Sequence, residues 1–185
     1  MNILQQDKDR LREIIIKEAY FREKIILSSG KESDFYIDAR RITLSSEGVY
    51  LTAKIFLDII KEWKISAIGG PTLGADPIVG AISVLSWQAQ KPLNTFIIRK
   101  APKPHGRQRQ IEGPDLPAGS SVVIIDDVAT TGKAFVQSID ALSEIDVKAE
   151  KAICIVDRNE GAKEVLKEKG CELISIFDIS EIHKK

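Results

Sequence analysis

The stretch V-V-I-I-D-D-V-A-T-T-G-K-A, residues 122–134, decides which fold this chain can adopt. Its four opening residues are apolar and β-branched, which is typical of a strand buried on both faces of a parallel sheet. Two adjacent acids, Asp126 and Asp127, follow directly. Because side chains alternate between the faces of a strand, a buried strand cannot shelter both acids in its middle. We therefore expect them at the carboxyl end of the strand, where parallel sheets bind ligands.

The second half of the stretch has the composition of an anion site. Residues 130–132, Thr-Thr-Gly, lead into a segment whose apolar residues Phe135, Ile139 and Leu142 recur at helical spacing. Backbone N–H groups at such a turn converge with a helix N-terminus and favour an anion. Two acids followed by an anion site suit a ligand with hydroxyls or a metal ion on one side and a phosphate on the other. A ribose 5-phosphate is such a ligand. A Walker A interpretation fails, because Asp127 stands where its first glycine should be. In the alternative interpretation the acids simply end an apolar strand.

Length and composition narrow the possible classes of protein. With 185 residues, 43% of them hydrophobic, we expect a single domain over residues 1–185 that buries a sizeable core. A formal net charge of zero gives little support to a general attraction to nucleic acid or membrane. We expect no leader or membrane span. Cys154 and Cys171 show no metal-type spacing, which favours a reduced, cytoplasmic protein.

Strands and helices alternate along most of the chain. An amphipathic helix (residues 7–20) and a small hairpin or hood (residues 25–38) occupy about residues 1–45, and a second helix starts the core at Ser46. The predicted strands are residues 65–68, 95–98, 122–125, 151–156 and 173–177, and the predicted helices between them are about residues 77–87, 133–145 and 162–169. This alternation predicts an open, mostly parallel five-stranded α/β sheet with helices on both faces. Asp76 is expected to cap its helix, with Pro77 at the first helical position.

The segments after the strands are the candidate ligand loops. Residues 69–74 include three glycines, which let a backbone approach a ligand closely. Residues 99–113 carry five Lys or Arg, one His and a single acid, and predict a lid over an anionic ligand. A solvated charge run or a nucleic-acid patch is the alternative, although aromatic residues are missing. Arg158 is suited to bind a carboxylate, or to form a surface ion pair. His183 lies in a polar tail, and no role is expected for it.

Four motifs in this chain resemble the type I phosphoribosyltransferases, and in particular their orotate-using branch. They are L-S-S-G-K-E-S-D-F-Y-I-D-A-R (residues 27–40), G-G-P-T-L-G-A-D-P (69–77), R-K-A-P-K-P-H-G (99–106) and the stretch 122–134, with Asp157-Arg158 beyond. The resemblance implies transfer of the 5-phosphoribosyl group from 5-phosphoribosyl-1-pyrophosphate (PRPP) to orotate, which gives orotidine 5′-monophosphate and pyrophosphate in pyrimidine biosynthesis. It also implies Mg²⁺ as cofactor and a homodimer whose subunits share the lid.

The resemblance assigns roles to individual residues. Lys103 would be the main catalytic residue on the lid, while Asp126 and Asp127 would hold the ribose hydroxyls, directly or through Mg²⁺. Thr130 and Arg158 would contact orotate, Arg158 at its carboxylate. The positions expected to contact PRPP are Thr72, Arg99, Lys100, Lys103, His105, Asp126, Asp127, Val128, Ala129, Thr130, Thr131, Gly132, Lys133 and Ala134.

Two positions depart from the family pattern, and two other functions stay open. Several family members carry a lysine where this chain has Ser28 and another where it has Gly74, so those cationic contacts are not expected here. A phosphoribosyltransferase for another base, such as a purine, should lack the Arg-Lys-x-x-Lys-x-His lid. A non-catalytic regulator that senses nucleotides and binds RNA or DNA should lose Lys103 or add a nucleic-acid-binding segment.

Overall fold

The N-terminal helix packs its apolar face onto the body of the protein. The computed structural model describes residues 3–26, 32–101 and 110–183. Helix α1 (Ile3–Ile14) continues into one π-helical turn (Ile15–Ala19), and Leu11 and Ile15 on its inner face are almost completely buried. The sequence predicted a single helix through residue 20. Tyr20 instead begins a strand, because its backbone pairs with that of Ile37.

The hood consists of two nested antiparallel strand pairs. Strand β1 (Tyr20–Phe21) pairs with β4 (Tyr36–Ile37), and between them β2 (Ile25–Ile26) pairs with β3 (Glu32–Ser33). The predicted hairpin is therefore present. The segment between β2 and β3, which includes Ser28, lies outside the described residues.

Two helices connect the hood to the sheet. The short helix α2 (Arg40–Thr43) is followed by α3 (Ser46–Ile60). The Ser45 hydroxyl caps α3 by accepting the Gly48 N–H at 3.2 Å, which satisfies one of the free donors that every helix N-terminus leaves.

A six-stranded sheet forms the centre of the fold. Its strands, in chain order, are β5 (Ala67–Pro71), β6 (Asn94–Ile98), β7 (Ile111–Glu112), β8 (Ser121–Ala129), β9 (Lys148–Asp157) and β10 (Glu172–Asp178). Their spatial order is β10-β9-β8-β5-β6-β7, and every neighbouring pair is parallel except β6 with β7. The predicted open, mostly parallel α/β fold is confirmed. The sixth strand arises because the end of the basic segment (residues 99–113) folds back onto β6.

Helices cover both faces of this sheet. They are α4 (Asp76–Gln88), α5 (Lys133–Ser143), α6 (Ala162–Glu168) and the short α7 (Ile179–Ile182). Val123 and Ile125 belong to the apolar cluster shared with α1, α3 and α4, whereas Val122 and Ile124 belong to the cluster shared with α5 and α6. Strand β8 is therefore buried on both faces, as its apolar run predicted.

Two predicted boundaries are wrong. Gly69 and Gly70 lie inside β5, not in the loop after it, and a side chain at either position would collide with the backbone of a neighbouring strand. Asp76 is the first residue of α4 and Ala75 stands at the cap. Asp76 instead accepts a hydrogen bond from the Thr72 hydroxyl at 2.7 Å. Among the described residues, no helix is long and apolar enough to cross a membrane.

Candidate active site

The two adjacent acids lie at the carboxyl end of β8, beyond the part of that strand that pairs with β5. Pairing between β5 and β8 ends at Gly69 and Ile124, while β9 stays paired with β8 as far as Ala129. Asp126 is buried, with 8% of its surface exposed, and Asp127 is half-buried. Each carboxylate accepts the backbone N–H of the next residue, Asp126 at 2.9 Å and Asp127 at 2.7 Å. The acids therefore lie near the carboxyl end of β8, as predicted, but the strand does not stop at residue 125: its pairing with β9 carries it through both acids to Ala129.

Gly74 contacts both carboxylates. A β-carbon at this position would fall within the contact radius of Oδ1 of Asp126 and of Oδ1 of Asp127. The glycine is therefore needed for close approach of the loop after β5, whose peptide bond between Thr72 and Leu73 is cis. A side chain at this position would require the loop or the two carboxylates to move.

Burial makes the acid pair hold its protons more strongly than free carboxyls do. Burial, with the negative charge of Asp127 added, raises the pKa of Asp126 well above its usual value. Burial also raises the pKa of Asp127, although the Val128 N–H and the positive charge of Arg40 oppose this increase. Asp76 contributes further negative charge at Asp126. A ligand that supplies hydroxyl donors or a cation would relieve this unfavourable concentration of charge.

The turn after β8 is shaped to receive an anion. Thr130 is half-buried and Thr131 exposed, and Gly132 adopts φ 79° at the start of α5. Because the first N–H groups of a helix have no partners within it, they are available to an anion placed at this end. Lys133 is exposed at the first position of α5. Val128, Ala129 and Ala134 complete the continuous segment from the acids to the helix.

A cleft of about 600 Å³ lies between the loop after β5 and the root of the basic segment. Thr72, Arg99 and Lys100 line it, together with Asp76. The nearest carboxylate oxygen of Glu112 lies 3.6 Å from a guanidinium nitrogen of Arg99, and the Arg99 carbonyl accepts the Gln110 side-chain amide at 2.8 Å. The two ends of the basic segment are thus joined. Lys103 and His105 lie outside the described residues.

Arg158 is held in a buried position next to the hood. Its backbone N–H donates to the Ala129 carbonyl at 2.9 Å, so it adjoins the turn after β8. Its Nε donates to Glu160 at 2.8 Å and its Nη2 to the Ser33 hydroxyl at 3.3 Å. The guanidinium carbon lies 4.6 Å from the centre of the Phe35 ring. With 5% of its side chain exposed, it is not the surface ion-pair residue of the alternative interpretation.

The sequence interpretation missed several residues around this edge. His183 does not lie free in a polar tail. Its Nδ1 lies 2.6 Å from the Tyr20 hydroxyl, and its ring packs on Phe35 with centroids 4.6 Å apart. Arg40 influences Asp127 although it is more than 80 residues away in the chain. No local pattern identifies these partners, since each contact joins segments that are distant in sequence.

The raised pKa of Asp126 predicts a pH-dependent stability. Between its ordinary and its raised pKa, the folded protein keeps a proton that the unfolded chain has released. The free energy of unfolding should therefore be highest at low pH in this window and fall as the pH rises, by at most about 1.4 kcal/mol per pH unit for one proton. Asp126→Asn should flatten this decline in urea unfolding curves, while Asp140→Asn, at an exposed carboxylate, should not. Parallel pH profiles for the wild type and Asp126→Asn would contradict this assignment.

Comparison with known proteins agrees with this geometry. The model of the phosphoribosyl transferase domain family matches residues 49–184. The orotate phosphoribosyltransferase of Aquifex aeolicus is 42% identical over 156 residues, which cover 84% of this chain and 85% of that protein. The enzyme of the same name from Synechocystis is 36% identical over 181 residues, covering 98% and 91%.

A solved structure extends the likeness to three dimensions. The crystal structure of Mycobacterium tuberculosis orotate phosphoribosyltransferase in complex with PRPP superposes with a TM-score of 0.78 at 28% sequence identity, covering 95% of this chain and 98% of that one. The acids at the end of β8, the turn that follows them and the basic segment are thus found in a chain that matches these proteins over nearly its whole length. The chain belongs to the phosphoribosyltransferase family, and within it to the orotate phosphoribosyltransferases.

Proposed function

We propose that this protein transfers the 5-phosphoribosyl group from PRPP to orotate, which forms orotidine 5′-monophosphate and pyrophosphate in pyrimidine biosynthesis. The proposal rests on one observation: three features meet at the carboxyl-terminal end of the sheet. These are the acid pair at the end of β8, the N-terminus of α5 and the root of the basic segment. Membership of the family and the PRPP complex of the M. tuberculosis enzyme support the same activity.

The sugar and its 5-phosphate would bind along the segment from β8 to α5. Asp126 and Asp127 would accept hydrogen bonds from the ribose hydroxyls. The backbone N–H groups of residues 129–134 and the N-terminus of α5 would surround the phosphate. Thr130 and Thr131 add hydroxyl donors, and Lys133 adds a positive charge at the same end of the helix. The left-handed φ of Gly132 permits the tight turn that brings these groups together.

Mg²⁺ is the cofactor of this proposal, and the acids fit it. Mg²⁺ prefers oxygen ligands and commonly binds through one or two carboxylates and the phosphates of a substrate. Within the described residues no group of three or more His, Cys, Asp or Glu forms a protein cage for a metal. Asp126 or Asp127 would therefore hold the ion jointly with PRPP. When bound, it would neutralise negative charge on the diphosphate and on the acid pair.

The pyrophosphate end of PRPP would occupy the cleft beside Thr72, Arg99 and Lys100, with Lys103 and His105 contributed by the basic segment. The interaction energy between a lysine and a charged oxygen 4 Å away is about 1 kcal/mol in water, but about 4 kcal/mol at an effective dielectric of 20. The basic segment therefore stabilises the departing pyrophosphate strongly only when water is excluded from around it.

In the reaction, the orotate ring nitrogen forms a bond to C1 of the ribose and loses its proton, while the bond from C1 to the pyrophosphate oxygen breaks. The departing pyrophosphate accepts that proton. The electron pair of the broken bond leaves with pyrophosphate. Positive charge develops on the sugar and negative charge on the leaving group, so the work of the protein is positional and electrostatic. Arg158 would bind the orotate carboxylate and Thr130 the ring. Glu160 accepts Nε of Arg158 at 2.8 Å, and this bond would orient the guanidinium for the substrate.

Lys103 tests the catalytic part of the proposal. Lys103→Ala should lower kcat by about two to three orders of magnitude, because roughly 3 to 4 kcal/mol of stabilisation of the leaving group is lost. The assay follows the loss of orotate absorbance in the presence of PRPP and Mg²⁺. Lys167→Ala, at an exposed lysine on α6, is the matched control and should retain wild-type turnover.

The same assay separates the rival functions. Hypoxanthine, adenine and uracil should not replace orotate, and turnover of any of them in its place would favour another phosphoribosyltransferase. A non-catalytic regulator would turn over none of these bases and would retain RNA or DNA on a filter at physiological salt. Wild-type turnover by Lys103→Ala would contradict the proposed role of the basic segment.

Gly74 provides a second test, at the acid pair. Gly74→Ala should weaken PRPP binding in the presence of Mg²⁺ by more than about tenfold in calorimetry, because the added methyl group displaces both carboxylates. Gly74→Lys should weaken binding too, although it restores the residue that several relatives of the family carry. If either variant binds PRPP with full affinity, the close approach of Gly74 is not required.

A homodimer is also part of this proposal, and an exposed apolar surface supports it. Tyr50 on α3 and Val84 and Trp87 on α4 are 47%, 58% and 73% exposed. Large apolar side chains that cluster on a surface commonly mark an interface. We assign a second copy of this chain to that surface, with the basic segment of one subunit reaching the site of the other.

A cytoplasmic location is proposed as well, in agreement with the two free, buried cysteines.

The dimer proposal predicts a change of mass in solution. Val84→Glu should shift sedimentation equilibrium from dimer towards monomer, because a charge in an apolar interface is costly to desolvate. Val165→Glu alters an exposed valine on α6, away from this surface, and should leave the dimer intact. A wild-type monomer would contradict the dimer proposal, and equal behaviour of the two variants would place the interface elsewhere.

A further inference from the structure

The C-terminal segment makes specific contacts with the hood through one histidine. His183 follows α7, and its backbone N–H donates to the Ile179 carbonyl at 2.8 Å. Its Nδ1 lies 2.6 Å from the hydroxyl of Tyr20 on β1, within hydrogen-bond range. The His183 ring also packs on Phe35, with centroids 4.6 Å apart, and Tyr20 stacks on Phe35 at 5.9 Å. Three aromatic side chains from opposite ends of the chain thus form one cluster.

The ring at the centre of this cluster also supports Arg158. The guanidinium carbon of Arg158 lies 4.6 Å from the centroid of Phe35, a distance at which a cation is attracted to a ring face. Ser33 reinforces the contact, because its hydroxyl accepts Nη2 of Arg158 at 3.3 Å and donates to the Phe35 carbonyl at 2.8 Å. Any shift of Phe35 would therefore be transmitted to the guanidinium.

A second connection links the same C-terminal segment to the loop that carries Arg158. Asp178 caps α7 by accepting the Ser180 N–H at 2.9 Å, and Glu181 completes the capping box. The other carboxylate oxygen of Asp178 accepts the side-chain amide of Asn159 at 2.7 Å. The position of α7, and of His183 after it, is thus set relative to the residue next to Arg158.

We propose that His183 is a positioning residue for orotate binding: with Tyr20 it fixes Phe35, and Phe35 fixes the guanidinium of Arg158. This inference rests on the proposed function, in which Arg158 binds the orotate carboxylate. His183 does not touch orotate or PRPP in this role. Its effect is to reduce the freedom of an arginine that would otherwise have to be ordered when the substrate binds, so its loss weakens orotate binding selectively.

Steady-state kinetics of His183→Ala tests the inference. The orotate KM should rise about five- to twentyfold, while kcat and the PRPP KM stay within about twofold of the wild type. A purely structural role would change thermal stability, or alter all three constants together, without this selectivity. His183→Asn keeps a hydrogen-bond acceptor close to the position of Nδ1 and should recover part of the lost orotate affinity.

A double-mutant cycle identifies the hydrogen bond itself. Tyr20→Phe keeps the ring and removes only the hydroxyl, so it should raise the orotate KM by about three- to tenfold in the wild type. In the His183→Ala background the same change should have almost no further effect, because the partner is already gone. Tyr20→Phe also serves as the test if His183→Ala does not fold.

The outcomes separate this inference from the proposed function. If the wild type consumes orotate but His183→Ala and Tyr20→Phe keep its orotate KM within about twofold, the positioning role is wrong and the proposed function stands. The positioning role is also wrong if the orotate and PRPP constants change equally. If the wild type consumes no orotate, the proposed function itself fails.

Discussion

The burial of two adjacent carboxylates at the end of β8 is the constraint on which the rest of the site depends. Asp126 lies almost wholly out of water and Asp127 is half-buried, so burial makes the charge of each more costly, and the charge of Asp127 adds to the cost at Asp126. Their hydrogen bonds to the following backbone N–H groups offset only part of that cost. A neighbouring group that donates hydroxyl hydrogens, or a cation, would therefore stabilise the acid pair.

The surrounding backbone is adapted to this pair. Gly74 lets the loop after β5 approach both acids, and the turn at Gly132 starts a helix beside them. The sheet provides rigidity, since β8 is paired on both sides along its apolar part and covered by helices on both faces. The acids, the turn after β8 and the helix N-terminus are thus held in place by the sheet, and in the proposed function this order would reduce the entropy lost when PRPP binds.

The other half of the site is built from segments that are remote from β8 in the chain. Arg158 comes from the end of β9, but its surroundings are set by Phe35 of the hood, and Phe35 in turn packs on His183 near the C-terminus. The hood is too small to be stable alone, because isolated short hairpins are marginal in water. Its position must come from contacts with the core and with the C-terminal segment, through His183.

The amino-acid sequence by itself determined the fold class, the strand that carries the acids, and the segments around which the site is built. These features are local: apolar periodicity, the acids at a strand end and the concentration of positive charge can each be seen within a few residues. Only the tertiary structure decided that Gly69 and Gly70 lie within a strand, that Gly74 contacts both acids, and that Glu160 pairs with a buried Arg158. It also decided that His183 contacts the hood. The physical reason is that these outcomes depend on steric fit and burial between segments far apart in the chain, which no local pattern specifies.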